Sequence, residues 1–314
     1  MTARLIMKLQ VVSAVPTTPD VLRVVFRHPL RPELPEWTPG AHVDLRLPDG
    51  KVRQYSLCGD PDDRAHYAMA IKREADGRGG SLWAHANLTE GGLAHVSSPR
   101  NNFPLADGTR HVFVAGGIGI TPFVAMARAL AAVGGDFILH FCARSAAEAP
   151  LLDELRIVCG DRLQLWFSGA GRRFEPALIG PPTPGTHLYA CGPQRLVDAV
   201  QAAADAGGWA PDRVHIERFA ATLDENYKPE PFDARIASTG EVLHVPADRS
   251  LLDVLRENGF PVASSCEIGT CGSCECGYRD GTVIHRDQVL PLGRRQDRMM
   301  PCVSRARVGV TLDL

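Results

Sequence analysis

The stretch HVFVAGGIGITPFVAMARALAA, residues 111–132, changes character twice. His111–Ala115 is short, apolar and rich in β-branched and aromatic side chains, which predicts a strand. Gly116–Pro122 then forms a glycine-rich turn, and Pro122–Ala132 predicts a helix. Thr121 stands where a helix cap belongs and Pro122 at a favourable first position. A glycine turn between strand and helix lets a diphosphate approach the backbone and face a helix N-terminus. A tight connection with no ligand would read the same way.

The same rhythm continues downstream. Strands are predicted at Phe137–Cys142, Leu163–Ser168, His187–Cys191 and Val214–Phe219, with helices at Leu151–Val158 and Gln194–Ala206. Such alternation implies a parallel sheet covered on both faces. A second turn, Ala190–Pro193, repeats the strand–turn–helix setting. Gly192 would let a flat ring lie close to Cys191, although spacing alone favours reading Cys191 as a small buried residue.

Upstream the pattern is different. Leu9–Ala14, Val21–Arg27, His42–Leu47, Val52–Leu57 and His66–Ile71 are short strands separated by turns, with one short helix near Ser81–Asn87. This spacing suggests an antiparallel sandwich or barrel. Within Val52–Leu57, alternation puts Arg53, Tyr55 and Leu57 on one face and Ser56 on the other, as in an ordinary exposed strand. Basic residues at Lys72 and Arg73, followed by Gly77-Arg-Gly-Gly-Ser81, form an arrangement able to hold a phosphate.

Ala220–Pro231 is polar and reads as a linker. Phe232–Leu314 then forms a small third unit with a hairpin (Phe232–Ala237 and Glu241–Val245), a helix at Ser250–Asn258 and a crowd of cysteines. Cys266-x4-Cys271-x2-Cys274, with Cys302 far downstream, is the plant-type [2Fe–2S] spacing. Two irons and two sulfides need four thiolates, and Gly269 and Gly272 let the loop wrap closely. A structural zinc site is the alternative, but zinc usually takes two C-x2-C knuckles or mixed Cys and His. Cys276 reads as a neighbour of the loop and not as a ligand. No Cys is followed two residues later by His, so the chain carries no Rieske centre of its own.

Composition narrows the function further. Of the 314 residues 45% are apolar and 22% charged, a globular balance, and the net charge of −2 argues against nucleic-acid binding. No run reaches the roughly 20 apolar residues that span a membrane. No signal-peptide pattern opens the chain, so a cytoplasmic protein is expected.

The order RQYSL (residues 53–57), IKR (71–73), GRGGS (77–81), GGIGITP (116–122), ACGP (190–193) and the cysteine cluster resembles the phthalate dioxygenase reductase family, within the ferredoxin–NADP reductase superfamily. The resemblance implies a multidomain β, α/β and α+β chain. An antiparallel flavin-binding β-barrel would span residues 1–107 and a parallel-sheet nicotinamide-binding domain 108–222. A linker would cover 223–231, and a β-grasp plant-type ferredoxin domain 232–314. It implies FMN as the flavin, with Arg53 and Ser81 on its phosphate and Gly79 and Gly80 as backbone donors. Tyr55 would lie along the flavin, Ser56 would contact it near N5, and Lys72 would flank its pyrimidine end. Gly117, Gly119 and Thr121 would cradle the nicotinamide cofactor, with Cys191, Gly192 and Pro193 beside its ring and Phe219 shielding the flavin. Cys266, Cys271, Cys274 and Cys302 would hold the cluster.

The implied activity passes electrons from NADH to FMN, to [2Fe–2S], and on to a Rieske-type oxygenase. Arg144, Arg172 and Arg173 leave NADPH open as a donor. A diiron hydroxylase as acceptor, a non-enzymatic redox sensor and a self-sufficient oxygenase are the competing readings. The last lacks the sequence signatures it would need.

Overall fold

The computed structural model describes residues 5–219 and 227–314. The chain divides into two compact units, Met1–Phe219 and Ala220–Leu314. In the first unit, β1 (Ile6–Thr18), β2 (Val21–Arg27), β3 (His42–Arg46), β4 (Val52–Ser56), β5 (His66–Lys72) and β6 (Leu93–Ser97) pair antiparallel in the order β4-β3-β6-β1-β2-β5. A bridge between Leu57 and Met69, with a 2.9 Å bond from the Cys58 N–H to the Ala68 oxygen, brings the end of β4 round to β5. The sheet therefore curls into the barrel anticipated from the strand spacing. Leu9, Val24, Phe26, Val43, Leu45 and Met69 fill it, joined by Ala84 of helix α1 (Gly80–Asn87). Burying each of the large side chains contributes about 1.5–3 kcal/mol.

This barrel corrects two expectations. Val52–Leu57 is not an ordinary exposed strand. Val52, Ser56 and Leu57 are buried and Tyr55 packs against the core, because the strand lies at the closing seam. β6 has no counterpart in the sequence reading.

β7 (Arg110–Gly116), β8 (Asp136–Ala143), β9 (Leu163–Phe167), β10 (Thr186–Cys191) and β11 (Val214–Glu217) form the second sheet of this unit, all parallel, in the order β11-β10-β7-β8-β9. Strand alternation sorts its side chains to two faces. Phe113, Ala115, Phe137, Leu139, Phe141 and Tyr189 pack with α2 (Thr121–Ala132) and α3 (Leu152–Cys159). Val112, Val114, Leu188 and Ala190 pack with Val200 and Ala204 of α4 (Gln194–Ala206). The near-continuous apolar runs follow from this double coverage.

In the second unit, β12 (Phe232–Ile236), β13 (Val242–Val245), β14 (Cys276–Ile284), β15 (Arg298–Met299) and β16 (Arg305–Leu312) make a mixed sheet, β13-β12-β16-β14-β15. The β12–β16 pair is parallel and the others are antiparallel. Helix α5 (Leu251–Glu257) packs Leu251, Val254 and Leu255 into its core. The Ser250 hydroxyl caps it by accepting the Asp253 N–H at 3.1 Å. Of the expected linker 223–231, residues 223–226 lie outside the described residues. In the described part, the Glu230 carbonyl accepts from the buried Arg305 guanidinium at 2.9 Å. Among the described residues no helix is long and apolar enough to cross a membrane.

Candidate functional site

The cysteine loop follows α5. Arg256 of that helix donates to the Ser264 hydroxyl and pairs with Glu267 at 2.8 Å, while Glu267 adopts φ 58°. A non-glycine residue in the left-handed region is costly, and this ion pair helps hold it there. On the facing loop, the Asp287 carboxylate accepts the Leu290 N–H at 2.9 Å, and the Gln288 N–H donates to the Gly269 carbonyl at 3.0 Å.

Four thiols converge as two pairs. The Cys266 N–H points to Cys271 Sγ at 3.5 Å, and Cys274 Sγ lies 3.2 Å from Cys302 Sγ. The Ile268 N–H donates to Cys266 Sγ at 3.4 Å. Contact with Cys271 holds the Cys266 thiol below its ordinary value, and contact with Cys302 lowers Cys274, while each partner is pushed up. Two irons that each take two thiolates fit this arrangement, with a backbone N–H already turned to one sulfur. Cys276 stands apart. It packs in the sheet core with Phe232 and Leu312, and its thiol contacts the Gly277 carbonyl at 3.3 Å.

In the barrel, the Arg53 side chain lies across the N-terminus of α1. A Cβ on Gly80 would meet its Cγ at 2.5 Å and its Nε at 2.7 Å. Gly79 caps the helix in the left-handed conformation with no side-chain partner for the first turn. A guanidinium beside uncapped helical N–H groups suits a phosphate. The Ser81 hydroxyl accepts the Glu74 N–H at 3.0 Å, and Lys72 pairs with Glu74 at 2.9 Å. Burial pushes the Tyr55 phenol up to about 12, and Ser56 is 6% exposed.

At the carboxyl ends of the parallel strands, the two glycine turns press together. A Cβ on Gly119 would stand 2.4 Å from the Cys191 carbonyl oxygen, and one on Gly192 would stand 2.8 Å from the Gly116 nitrogen. Gly117 alone of these faces open space, with φ 53°. Thr121 is a correction. Ile120 is the cap, Thr121 is the first residue of α2, and its buried hydroxyl donates to the Ile118 carbonyl at 3.1 Å. A short 3-10 turn at Gly117–Ile120 runs straight into the helix, which therefore starts one residue earlier than expected and takes the Thr121 hydroxyl inward. Cys191 is fully buried, and desolvation, with Glu217 nearby, raises its thiol well above the ordinary value. Pro193 and Phe219 are exposed.

Glu217 was not anticipated. It sits opposite Cys191 in the β10–β11 pairing, and its Oε2 is buried with no hydrogen-bond partner among the described residues. Burial lifts its carboxyl from 4.5 to about 8. An acidic residue closing the short strand Val214-His-Ile-Glu217 is the only sequence signal for it. The folded state holds this proton at pH values where the unfolded chain has lost it. Its contribution is thus complete below about pH 4.5 and declines as pH rises towards 8. Glu217→Gln is expected to flatten that decline. Urea unfolding from pH 5 to 8 followed by tryptophan emission measures it, because Trp37, Trp83, Trp166 and Trp209 all lie in the first unit. Unchanged pH dependence would contradict the burial argument.

Residues 234–307 match the family model of a 2Fe-2S iron-sulfur cluster binding domain. The chain is 39% identical over 313 residues to a phthalate 4,5-dioxygenase oxygenase reductase subunit of Pseudomonas putida, covering 98% of this chain and 96% of that one. It is 41% identical over 295 residues to the beta subunit of a heme-dependent oxidative N-demethylase of Ectopseudomonas mendocina, covering 94% of each. Among solved structures it resembles a phthalate dioxygenase reductase described as modular for electron transfer from pyridine nucleotides to [2Fe-2S]. That match has TM-score 0.82 and 36% identity and covers 98% of both chains.

Proposed function

The chain belongs to the phthalate dioxygenase reductase family, and from that membership we propose that it is the reductase component of an oxygenase system. It carries electrons from NADH through FMN and a [2Fe–2S] cluster to a Rieske-type oxygenase, which it meets in a transient complex in the cytoplasm. The observation that carries this reading is the pair of thiol pairs in the same chain as a parallel sheet whose glycine turns meet at one edge.

When bound, the flavin accepts two electrons as hydride and releases them singly, and the cluster carries one at a time. The protein binds, orients and shields. Residues 1–107 would serve as the flavin domain, 108–222 as the nicotinamide domain and 232–314 as the ferredoxin domain, with 223–231 linking them. Arg53 and the N–H groups of Gly80 and Ser81 neutralise the flavin phosphate, while Gly79 leaves that helix end uncapped. Tyr55, Ser56 and Lys72 line the ring site. Gly117 and the start of α2 receive the nucleotide diphosphate, with Gly119 and Thr121 shaping the turn. Gly192 and Pro193 offer backbone to the nicotinamide, Cys191 supports that turn from the core, and Phe219 shields the flavin. Cys266, Cys271, Cys274 and Cys302 ligate the irons as thiolates.

Arg53→Ala is expected to weaken flavin retention roughly 10- to 100-fold, the range for losing charge-assisted hydrogen bonds. The flavin-to-protein ratio after gel filtration and the dissociation constant report it, and full retention would remove Arg53 from the site. The functional reading is tested by anaerobic NADH reduction of the purified protein with cytochrome c as one-electron acceptor. Rapid flavin bleaching and cytochrome reduction are expected. A protein that takes no electrons from NADH would overturn it. The likeness to the N-demethylase beta subunit supports a second reading, in which the oxygenase served is heme-dependent. Turnover with each purified oxygenase type separates the two.

A further inference from the structure

We propose that Arg144, Arg172 and Arg173 form a binding site for the 2′-phosphate of NADPH, so that the chain accepts NADPH alongside NADH. The proposal rests on the pyridine-nucleotide reading above and extends it to the adenosine end of the cofactor.

All five strands of the second sheet are parallel, so their carboxyl ends share one edge in the order Glu217, Cys191, Gly116, Ala143 and Phe167. Neighbouring strands lie about 4.8 Å apart, which makes the step from β10 to β9 roughly 14 Å. A dinucleotide laid along this edge, with its nicotinamide at Gly192 and its diphosphate at Gly117, brings its adenosine over the ends of β8 and β9. In dinucleotide-binding α/β folds an acid near the second strand's tip reads the free ribose 2′-hydroxyl, whereas an arginine accommodates a 2′-phosphate. Here the tip of β8 reads Ala143-Arg144-Ser145, and the segment after β9 reads Ser168-Gly-Ala-Gly-Arg-Arg-Phe174. Neither contains an acid.

The three arginines are exposed, and among the described residues none of them makes an ion pair. Their loops are joined. The Gly169 N–H donates to the Arg144 carbonyl at 2.9 Å, and a Cβ on Gly169 would stand 2.7 Å from that oxygen. The Arg172 N–H donates to the Phe167 carbonyl at 3.1 Å, and its guanidinium lies 5.7 Å from the centre of the Trp166 ring. Stacking of this kind preorganises a guanidinium for bidentate phosphate binding. The nearest acids in sequence are Glu148 and Glu175, and Glu148 is engaged by the Ser145 hydroxyl at 3.3 Å. NADH and NADPH share the same nicotinamide, so the hydride step is common to both and only binding differs.

The test is kcat/KM for NADPH and for NADH, with ferricyanide as acceptor, in the flavin-loaded wild type and in the triple variant Arg144→Ala, Arg172→Ala, Arg173→Ala. Competition by 2′,5′-ADP and by 5′-AMP is measured in parallel. The variant is expected to lose roughly 10- to 100-fold with NADPH, the range for charged hydrogen bonds, and to stay within about twofold with NADH. In the wild type 2′,5′-ADP should compete more tightly than 5′-AMP, and the variant should lose that preference. NADH turnover with no 2′-phosphate preference, or equal losses with both nucleotides, would overturn this proposal alone. Reduction by neither nucleotide would overturn it together with the functional reading.

Discussion

A Cys302→Ala variant is expected to lose electron delivery to cytochrome c while NADH still bleaches its flavin at the wild-type rate. Cys302 is the distant anchor of the four-thiol set, buried with Leu252, Leu290 and Met300 beside Cys274. Changing an outer-shell partner of a metal site typically costs about 10- to 100-fold in affinity, and loss of a direct ligand costs more. Cytochrome c reduction should therefore fall by more than roughly 100-fold, together with loss of iron, acid-labile sulfide and visible absorption. The residues proposed to bind flavin and nucleotide lie in the other compact unit, which keeps its own core. Cys276→Ala provides the contrast. Its thiol sits in the sheet core and not in the ligand set, so that variant keeps its cluster and its cytochrome activity. Loss of the cluster in Cys276→Ala with retention in Cys302→Ala would mean that the ligands are misassigned.

The second large effect is expected at Gly119. The three atoms nearest to a Cβ there all belong to the backbone: the Cys191 oxygen at 2.4 Å, the Cys191 carbon at 2.5 Å and the Gly192 nitrogen at 2.6 Å. No rotamer change relieves such contacts, so either the glycine turn or the end of β10 must move. Overpacking of this kind costs about 1–3 kcal/mol of stability. A displacement of about 1 Å in a positioning loop is enough to cost roughly 100-fold in rate. Gly119→Ala should thus lower kcat/KM for NADH with ferricyanide by about two orders of magnitude. Gly117→Ala meets no atom within 4 Å and bears only the strain of its left-handed backbone, about 1–2 kcal/mol. Its effect on stability should therefore be smaller than that of Gly119→Ala, and any loss of turnover there would come from the diphosphate that Gly117 faces and not from the neighbouring turn. An unchanged kcat/KM in Gly119→Ala would mean that the contact between the turns does not position the nucleotide.

What could be read from the sequence was local in origin. The spacing from Cys266 to Cys274 lies within one loop, so it is visible in the chain as written. The alternation from β7 to β11 was legible because strands buried on both faces are continuous apolar runs bounded by turns. β6 was missed because Leu93-Ala-His-Val-Ser97 alternates exposed and buried residues over only five positions and carries a histidine on its outer face. β14 and β16 escaped for a related reason. They pair across more than twenty residues, and their exposed stretches carry charge and glycine.

Tertiary context decided the remainder. Ser56 and Leu57 are buried only because the barrel closes at Leu57 and Met69, a contact that no window of sequence contains. The missing side chain of Gly119 makes room for the Cys191 carbonyl on the neighbouring turn, a close approach that the sequence does not display. Glu217 titrates high because β10 and the core surround it, and nothing in Val214–Glu217 encodes that burial.

The central claim is that one chain joins a two-electron carrier to a one-electron carrier, and an anaerobic reductive titration of the purified protein measures this directly. Dithionite should be consumed to three electron equivalents per chain, two bleaching the flavin band and one the cluster band, with the reduced cluster appearing as a paramagnetic signal at low temperature. Saturation at two equivalents with no such signal, or at one with no flavin bleaching, would contradict it.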